Sequence, residues 1–408
     1  MPRIALVLSG GGARGAYEAG VLSYIFEDIA VRLGRPVRFD IVTGTSVGAI
    51  HACYVAAAQG APDAGAALLD VWRSLSLDHV YNLGALDLVR VPLRLLTSRT
   101  SGTILPASNG IPERMPGVFD TGWLETIVRD RIPWTSLREN IDGGGLEALA
   151  IAATEIATGR SVVFVDSASR TLPPWERDPF VVARPTRITP GHALASAAIP
   201  LVFPALRIGR TFYCDGGLRL NTPLAPAVRL GADRVLVIGL RYPRPEEEED
   251  RLARRRELDY SAPTYLVGKV LNALLLDRIE YDVERLRAFN DMLEAGQRIC
   301  GPDFLARINE AIAHRNAPLR IVRDLMIRPS KDLGNLAADC LGHQKRSRGL
   351  RDWMSHQVVR YAGHGTLGEA DLLSYLFFDR CYADHLIELG RADARAAEEA
   401  IAAFLSGD

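Results

Sequence analysis

Two short stretches carry side chains that could do chemistry together if the fold joined them: Gly44-Thr45-Ser46-Val47-Gly48 and Asp215-Gly216-Gly217. The first has the G-x-S-x-G spacing of a nucleophile elbow, which lifts a serine hydroxyl onto a sharp turn between a strand and a helix. Gly44 and Gly48 remove the Cβ atoms that would clash in so tight a turn. The second stretch offers a carboxylate where glycines let the backbone come close. An aspartate free in water, with a pKa near ~4, is a poor base, so Asp215 has to be desolvated beside Ser46 to be useful. Taken alone, Asp215-Gly216 is an ordinary turn.

A third stretch, Ser9-Gly10-Gly11-Gly12-Ala13-Arg14-Gly15, follows the apolar run Ile4–Leu8. The run is a short first strand, too brief for a signal segment. Leu22, Ile25, Ile29 and Leu33 then recur at helical spacing, and Gly34 and Pro36 close the helix. A strand, a glycine turn and a helix N-terminus form a basin of backbone N–H donors suited to negative charge. Two chemistries compete for it. Gly10, Gly12 and Gly15 satisfy G-x-G-x-x-G, but dinucleotide binding calls for an acidic residue closing the next strand, about 20 residues on. Asp40 comes early in that strand, which instead runs through Phe39, Ile41 and Val42 into the serine turn. The other chemistry is an oxyanion hole, with N–H groups of the Gly11-Gly12 region facing Ser46.

The elements needed to position these groups are legible. Small residues after Ser46 (Ala49, Ala52, Ala56) predict a tightly packed helix. Leu149–Ala153 and Ser161–Val165 flank a turn at Ala157–Arg160 and read as a hairpin-like pair. A helix is expected over Ala195–Ile199, ended by Pro200, with Ser196 structural because it lacks flanking glycines. Thr211–Cys214 leads as a strand into Asp215, and Val235–Ile238 and Leu319–Ile327 read as further strands. Phe119–Leu124 reads as a turn and helix cap.

Bulk properties exclude several classes. The 408 residues are 48% hydrophobic and 24% charged, as in ordinary soluble globular proteins. A net charge of −1 gives no reason to expect a nucleic-acid partner. No apolar run approaches a bilayer span. The five cysteines, Cys53, Cys214, Cys300, Cys340 and Cys381, are scattered and without metal-ligand spacing, so reduced thiols and no zinc site are expected. Five of the eight histidines follow Asp215, the order an α/β-hydrolase triad would need. None sits in a recognisable motif, and His51, five residues after Ser46 on one helix, should point away from the hydroxyl.

The conjunction of Gly10–Gly15, Gly44–Gly48 and Asp215–Gly217, in this order, resembles the patatin-like phospholipase family over roughly residues 3–240, with weaker echoes to about residue 340. The resemblance implies an α/β layered fold with a largely parallel central sheet, plus helical C-terminal additions. It implies a serine–aspartate dyad acting on lipid acyl esters of phospholipids or lysophospholipids, without metal or organic cofactor. Ser46 would be the nucleophile and Asp215 its base, with Gly11, Gly12 and Ala13 forming the oxyanion hole. Arg14 would orient the glycine loop or meet a lipid phosphate. Gly10, Gly15, Gly44, Gly48, Gly216 and Gly217 complete the motifs. A serine acyltransferase or neutral-lipid hydrolase would use the same site, and a non-enzymatic module binding an anionic ligand would leave Ser46 and Asp215 without a joint purpose.

The domain reading is a catalytic core over 1–240 with a lid or cap at about 75–125, then 241–340 holding a charged loop, helices and a late core strand, then a helical extension over 341–408. Within the cap, Val89–Leu96 mixes apolar and basic residues, as a core helix or a strip touching a lipid surface would. Pro243–Arg256 is a charge-blocked loop. Val267, Val270, Leu271, Leu274 and Leu275 form an apolar helical strip suited to a core, a dimer seam or a lipid face. The localisation expected is cytoplasmic with transient contact at membrane surfaces, and a homo-oligomer is compatible with the chain.

Overall fold

In the computed structural model, which describes residues 2–75, 106–107, 112–115, 121–172, 175, 180–200, 202–245, 247, 250, 279–313, 318–343 and 373–407, the glycine loop and the serine turn leave neighbouring parallel strands at the same edge. The first strand, β1 (Ile4–Leu8), runs through a 3-10 turn into α1 (Gly15–Tyr24), which continues through a π-helical turn at Ile25–Ile29 into α2 (Ala30–Leu33). Gly34 ends that helix in the left-handed region at φ 62°, as its place after the last apolar residue predicts. β2 (Ile41–Thr45) leads through Ser46 into α3 (Val47–Ala58), followed by α4 (Ala64–Arg73). Asp40 lies just before β2, and its carboxylate accepts the Ile4 N–H at 2.7 Å. It is a sheet fastener, away from the place a ribose-binding acid would take.

After α5 (Gly122–Asp130) and α6 (Trp134–Asp142) come β3 (Ala148–Glu155), β4 (Ser161–Ser167) and β5 (Val181–Pro185). β3 and β4 are the expected antiparallel pair. α7 spans Pro190–Ser196, so the helix begins earlier than expected and Ser196 closes it. Pro190 can start a helix because the first N–H of a helix has no partner there. β6 (Leu206–Ile208) and β7 (Thr211–Asp215) form a small antiparallel pair, and β7 also pairs with β3. α8 (Leu224–Arg229), β8 (Arg234–Ile238), α9 (Ile279–Cys300), α10 (Phe304–Ala311), β9 (Arg323–Ile327), α11 (Leu333–His343), α12 (Arg380–Ala396) and α13 (Glu398–Ser406) complete the described elements. The late strand is shorter than the Leu319–Ile327 run that predicts it.

The central sheet has the order β5-β4-β3-β2-β1-β8-β9 and is mostly parallel, with β3–β4 its antiparallel step. β1 has strands on both sides and helices on both faces. Leu6 and Leu8 enter the larger core, while Ala5 and Val7 enter a second one with Val235, Val237, Leu224 and Ile279. Burial on both faces explains why β1 reads as an unbroken apolar run. No helix among the described residues is long and apolar enough to cross a membrane.

The C-terminal helices belong to this core. Every residue of α1 is buried, and α12 packs along it through two reciprocal glycines. A Cβ at Gly20 would lie 2.3 Å from the Ile387 carbonyl oxygen, and one at Gly390 would lie 2.3 Å from that of Tyr17. Arg391 adds bonds from α12 to Ser23, Glu27 and Asp28 at 2.8, 2.8 and 2.9 Å.

Most of the expected lid, including Val89–Leu96, lies outside the described residues. So do Arg254–Arg256 and the Val267–Leu275 strip. Two thiols depart from the expectation of free cysteines: Cys340 of α11 and Cys381 of α12 are paired as a disulfide, whereas Cys53, Cys214 and Cys300 are free. The 41-residue separation conceals that pairing from the sequence, because the two helices meet only by packing.

Candidate active site

Ser46 stands at φ 55°, ψ −125°, a backbone conformation that a residue with a side chain adopts only where its surroundings enforce it. Enforcement comes from the close packing of the turn. A Cβ on Gly44 would lie 2.1 Å from the Gly48 carbonyl oxygen, and one on Gly48 would lie 2.6 Å from the carbonyl oxygens of Leu8 and Ser9. The turn is also held from below: the Ser46 N–H donates to Ser196 Oγ at 3.0 Å, and Ser196 Oγ donates to the Ala152 carbonyl at 2.5 Å. Ser196 is structural as expected, in the specific sense that it ties the serine turn to β3.

The Ser46 hydroxyl donates to Asp215 Oδ2 at 2.6 Å. Asp215 is fully buried at the end of β7, opposite Ala153 of β3. Its N–H donates to the Ala198 carbonyl at 2.8 Å, and its own carbonyl accepts Thr154 Oγ1 at 2.9 Å. The second carboxylate oxygen, Oδ1, accepts the Gly217 N–H at 2.7 Å, so both oxygens are bonded and the plane of the group is fixed. Burial pushes the Asp215 carboxyl up to about 6, against the opposing pull of the hydrogen bonds from Ser46 and Gly217. Desolvation therefore wins. The group is ionised at neutral pH and far more basic than an aspartate in water.

The glycine loop lies directly beside the serine. A Cβ at Gly10 would come within 3.1 Å of Ser46 Cβ, and Gly12 lines the same pocket as Ser46. Asn221 fastens the loop from the strand-end side, accepting the Gly10 N–H at 3.0 Å through its carbonyl and donating to the Gly10 carbonyl at 3.1 Å through Nδ2. Gly217 and Asn221 are also neighbours, so the loop and the aspartate turn share one support. Ala13 is buried behind Gly12 in the 3-10 turn Gly12–Arg14, Gly15 packs against Val47 and Trp72, and Gly216 packs against β3 at Ala152. Arg14 is buried, donates to Ser374 Oγ at 2.7 Å, and lies 3.9 Å over the Tyr375 ring. The guanidinium is thus turned to the C-terminal part of the core.

Around Ser46 opens a pocket lined almost wholly by apolar surface. Val47, Ile50 and Tyr54 of α3 form one side, Trp72 of α4 and Trp123 of α5 the next, and Phe378 a third. Trp72 and Phe378 stack with centroids 6.4 Å apart, and Trp123 meets Phe378 edge-on at 5.6 Å. Trp123, within the stretch read from sequence as a turn and helix cap, is thus pocket wall. Phe378 was invisible as such, since nothing local distinguishes a wall residue more than 300 positions from the serine.

Sequence reasoning also missed a buried polar chain that runs into this wall at His51 and Trp72. Glu18 Oε1 accepts the Ser9 N–H at 2.8 Å, Glu18 Oε2 lies 2.8 Å from His51 Nδ1, and Trp72 Nε1 donates to His51 Nε2 at 2.9 Å. Because Trp72 uses the lone pair on Nε2, the His51 proton sits on Nδ1 and points at Glu18. His51 consequently has no lone pair to offer as a base. Among the described residues, no histidine hydrogen-bonds Ser46 or Asp215. The nearby signal available in sequence was only a Glu inside an apolar helix.

These features match a known family. A family model described as patatin-like phospholipase matches residues 6–228, more than half of the chain. A cGAMP-activated phospholipase of Pseudomonas aeruginosa (strain BWHPSA011 / Pa011) is 28% identical over 225 residues, 53% of this chain and 53% of that protein. The uncharacterized protein YqhO of Bacillus subtilis (strain 168) is 27% identical over 225 residues, 53% of this chain and 64% of that protein. The chain thus spans between half and two thirds of the length of these curated relatives. The crystal structure of VipD from Legionella pneumophila aligns over 96% of this chain and 91% of that one, at 12% identity and a TM-score of 0.31, too low to bear on the fold.

Proposed function

The chain belongs to the patatin-like phospholipase family, and from that premise we propose that it hydrolyses carboxylic esters of phospholipids or lysophospholipids through a Ser46–Asp215 dyad. The observation that carries this reading is the 2.6 Å bond from Ser46 Oγ to Asp215 Oδ2 at the wall of a pocket lined mostly by apolar side chains. Ser46 Oγ attacks the ester carbonyl as its proton passes to Asp215 Oδ2. The carbonyl oxygen takes up negative charge, which the backbone N–H groups of Gly11, Gly12 and Ala13 stabilise. Collapse expels the alcohol portion, which takes the proton from Asp215 and leaves an acyl-Ser46 ester. Water, deprotonated by Asp215, attacks that ester; collapse of the second tetrahedral intermediate breaks the bond to Ser46 Oγ, which takes the proton back from Asp215 as the fatty acid leaves.

A carboxyl near 6 suits both halves of this cycle. It is ionised at neutral pH, ready to accept a proton, yet close enough in basicity to return it. The walls at Trp72, Trp123 and Phe378 exclude water from the acyl chain, and Arg14, held by Ser374, steadies the glycine loop.

The test is fatty-acid release from mixed phospholipid vesicles by the native protein, Ser46→Ala and Asp215→Asn. Release by the native protein alone is expected. Release by Ser46→Ala at the native rate sinks the mechanism. Adding a competing alcohol and analysing products separates hydrolysis from acyl transfer, which would use the same serine.

A further inference from the structure

Away from the serine site, three potential metal ligands converge at the junction of α11 and α12. Cys340 Sγ, Cys381 Sγ and a ring nitrogen of His385 all lie within 4.8 Å of one another. His385 follows Cys381 by four residues in α12, one helical turn, and Cys340 approaches from α11. His385 Nδ1 is 3.6 Å from Cys340 Sγ and 3.8 Å from Cys381 Sγ. Around a tetrahedral zinc with Zn–S near ~2.3 Å and Zn–N near ~2.05 Å, the sulfur-to-nitrogen edge is about 3.6 Å. Both observed separations are of that size. The sequence adds a second pattern: His343 follows Cys340 by three positions, so the chain carries a Cys-x2-His pair and a Cys-x3-His pair. Paired ligands a few residues apart are usual in structural zinc sites. They escape a search for cysteine pairs, since each half contributes one cysteine and one histidine.

We propose that Cys340, Cys381 and His385 form a zinc site that the chain adopts when the Cys340–Cys381 pair is reduced. The disulfide is the oxidised form of the same two sulfurs. Reduction by a dithiol gives two thiols and the oxidised reductant. Binding of Zn²⁺ then releases the two thiol protons and leaves two thiolates and one imidazole on the ion. Two thiolates and an imidazole make a soft donor set that favours zinc over magnesium or calcium. Nδ1 of His385 also lies 2.7 Å from the Cys381 carbonyl oxygen, so metal binding places the ring proton on Nε2 and replaces that contact. Cys340 is buried while His385 is exposed, which leaves the ion a path in from solvent.

The location gives the site a purpose. It ties together the two helices that flank residues 344–372, and Cys381 lies three residues beyond Phe378. The turn before α12 carries Ser374, which holds Arg14, and Phe378, which walls the cavity. A metal here fixes the start of α12 against α11 and with it that turn.

The test uses the full chain, purified with a dithiol reductant and no chelator. About one zinc ion per chain is expected by elemental analysis, lost in Cys340→Ser/Cys381→Ser and reduced in His385→Ala. A triple variant, Cys53→Ala/Cys214→Ala/Cys300→Ala, should keep it. Should a cysteine variant not fold, cobalt titration of the stripped, reduced native chain answers alone: thiolate-to-cobalt charge transfer and intense tetrahedral visible bands are expected at one equivalent. The reduced native chain should also melt several degrees higher with added zinc. The proposal fails if the reduced native chain binds neither ion, or if zinc persists undiminished in Cys340→Ser/Cys381→Ser.

Discussion

Ser196 Oγ accepts the backbone N–H of Ser46 at 3.0 Å while donating to the Ala152 carbonyl, so one serine holds the other in its left-handed turn. Removing that hydroxyl takes a support from the turn without touching the hydroxyl that would react. Ser196→Ala should lower kcat on a lipid ester roughly tenfold, or about 1.4 kcal/mol in the barrier, with KM little changed. Steady-state kinetics alongside a melting curve checks it, and an unaltered kcat would deny Ser196 any positioning role.

The raised carboxyl of Asp215 sets both activity and stability against pH. As a base it must be ionised, so turnover should fall with acidity below about 6. The stability effect has the opposite slope. Its folded pKa lies above the ordinary aspartate value of about 3.8, so between the two the folded chain holds a proton there that the unfolded chain has released. That contribution is present below about 4 and is lost as pH rises through about 6. Asp215→Asn should therefore gain in melting temperature relative to the native chain between pH 4 and pH 6. A gap between the two that stays constant over this range would contradict the raised value.

Glu18→Gln tests the polar chain that runs into the cavity wall. A glutamine can still accept the Ser9 N–H, but its amide then faces the Nδ1–H of His51 with another N–H. If the imidazole shifts its proton to Nε2 instead, it opposes the Trp72 N–H. One buried donor stays unsatisfied in either arrangement, at a cost of about 1–3 kcal/mol. Chemical denaturation should register a loss of this size.

Gly390→Ala weighs helix propensity against packing. Alanine would favour an exposed helix by about 1 kcal/mol over glycine. Here its Cβ would meet the Tyr17 carbonyl oxygen at 2.3 Å, a backbone atom that moves only if α1 moves. Overpacking of this kind costs about 1–3 kcal/mol or more, so net destabilisation is expected. A variant at least as stable as the native chain would show that α12 does not bear closely on α1.

The local chemistry of this protein was written locally. G-x-S-x-G announces its turn because both glycines answer to backbone atoms within a few residues or on the adjacent strand. The apolar runs of β1, β2, β3 and β8 announce a buried sheet because each strand is covered on both faces. The contact between Ser46 and Asp215 joins two motifs that the sequence already displays, one after the other. Tertiary structure alone decided what reaches the site from afar. Ser196 needed β3 beneath it before its hydroxyl could hold Ser46. Phe378 became cavity wall, and Ser374 an anchor for Arg14, only when α12 crossed α1 at Gly20 and Gly390. Cys340 met Cys381 and His385 only where α11 packs against α12. Periodicity reports which face of a helix is buried, but which partner covers that face follows from close packing summed over the whole core.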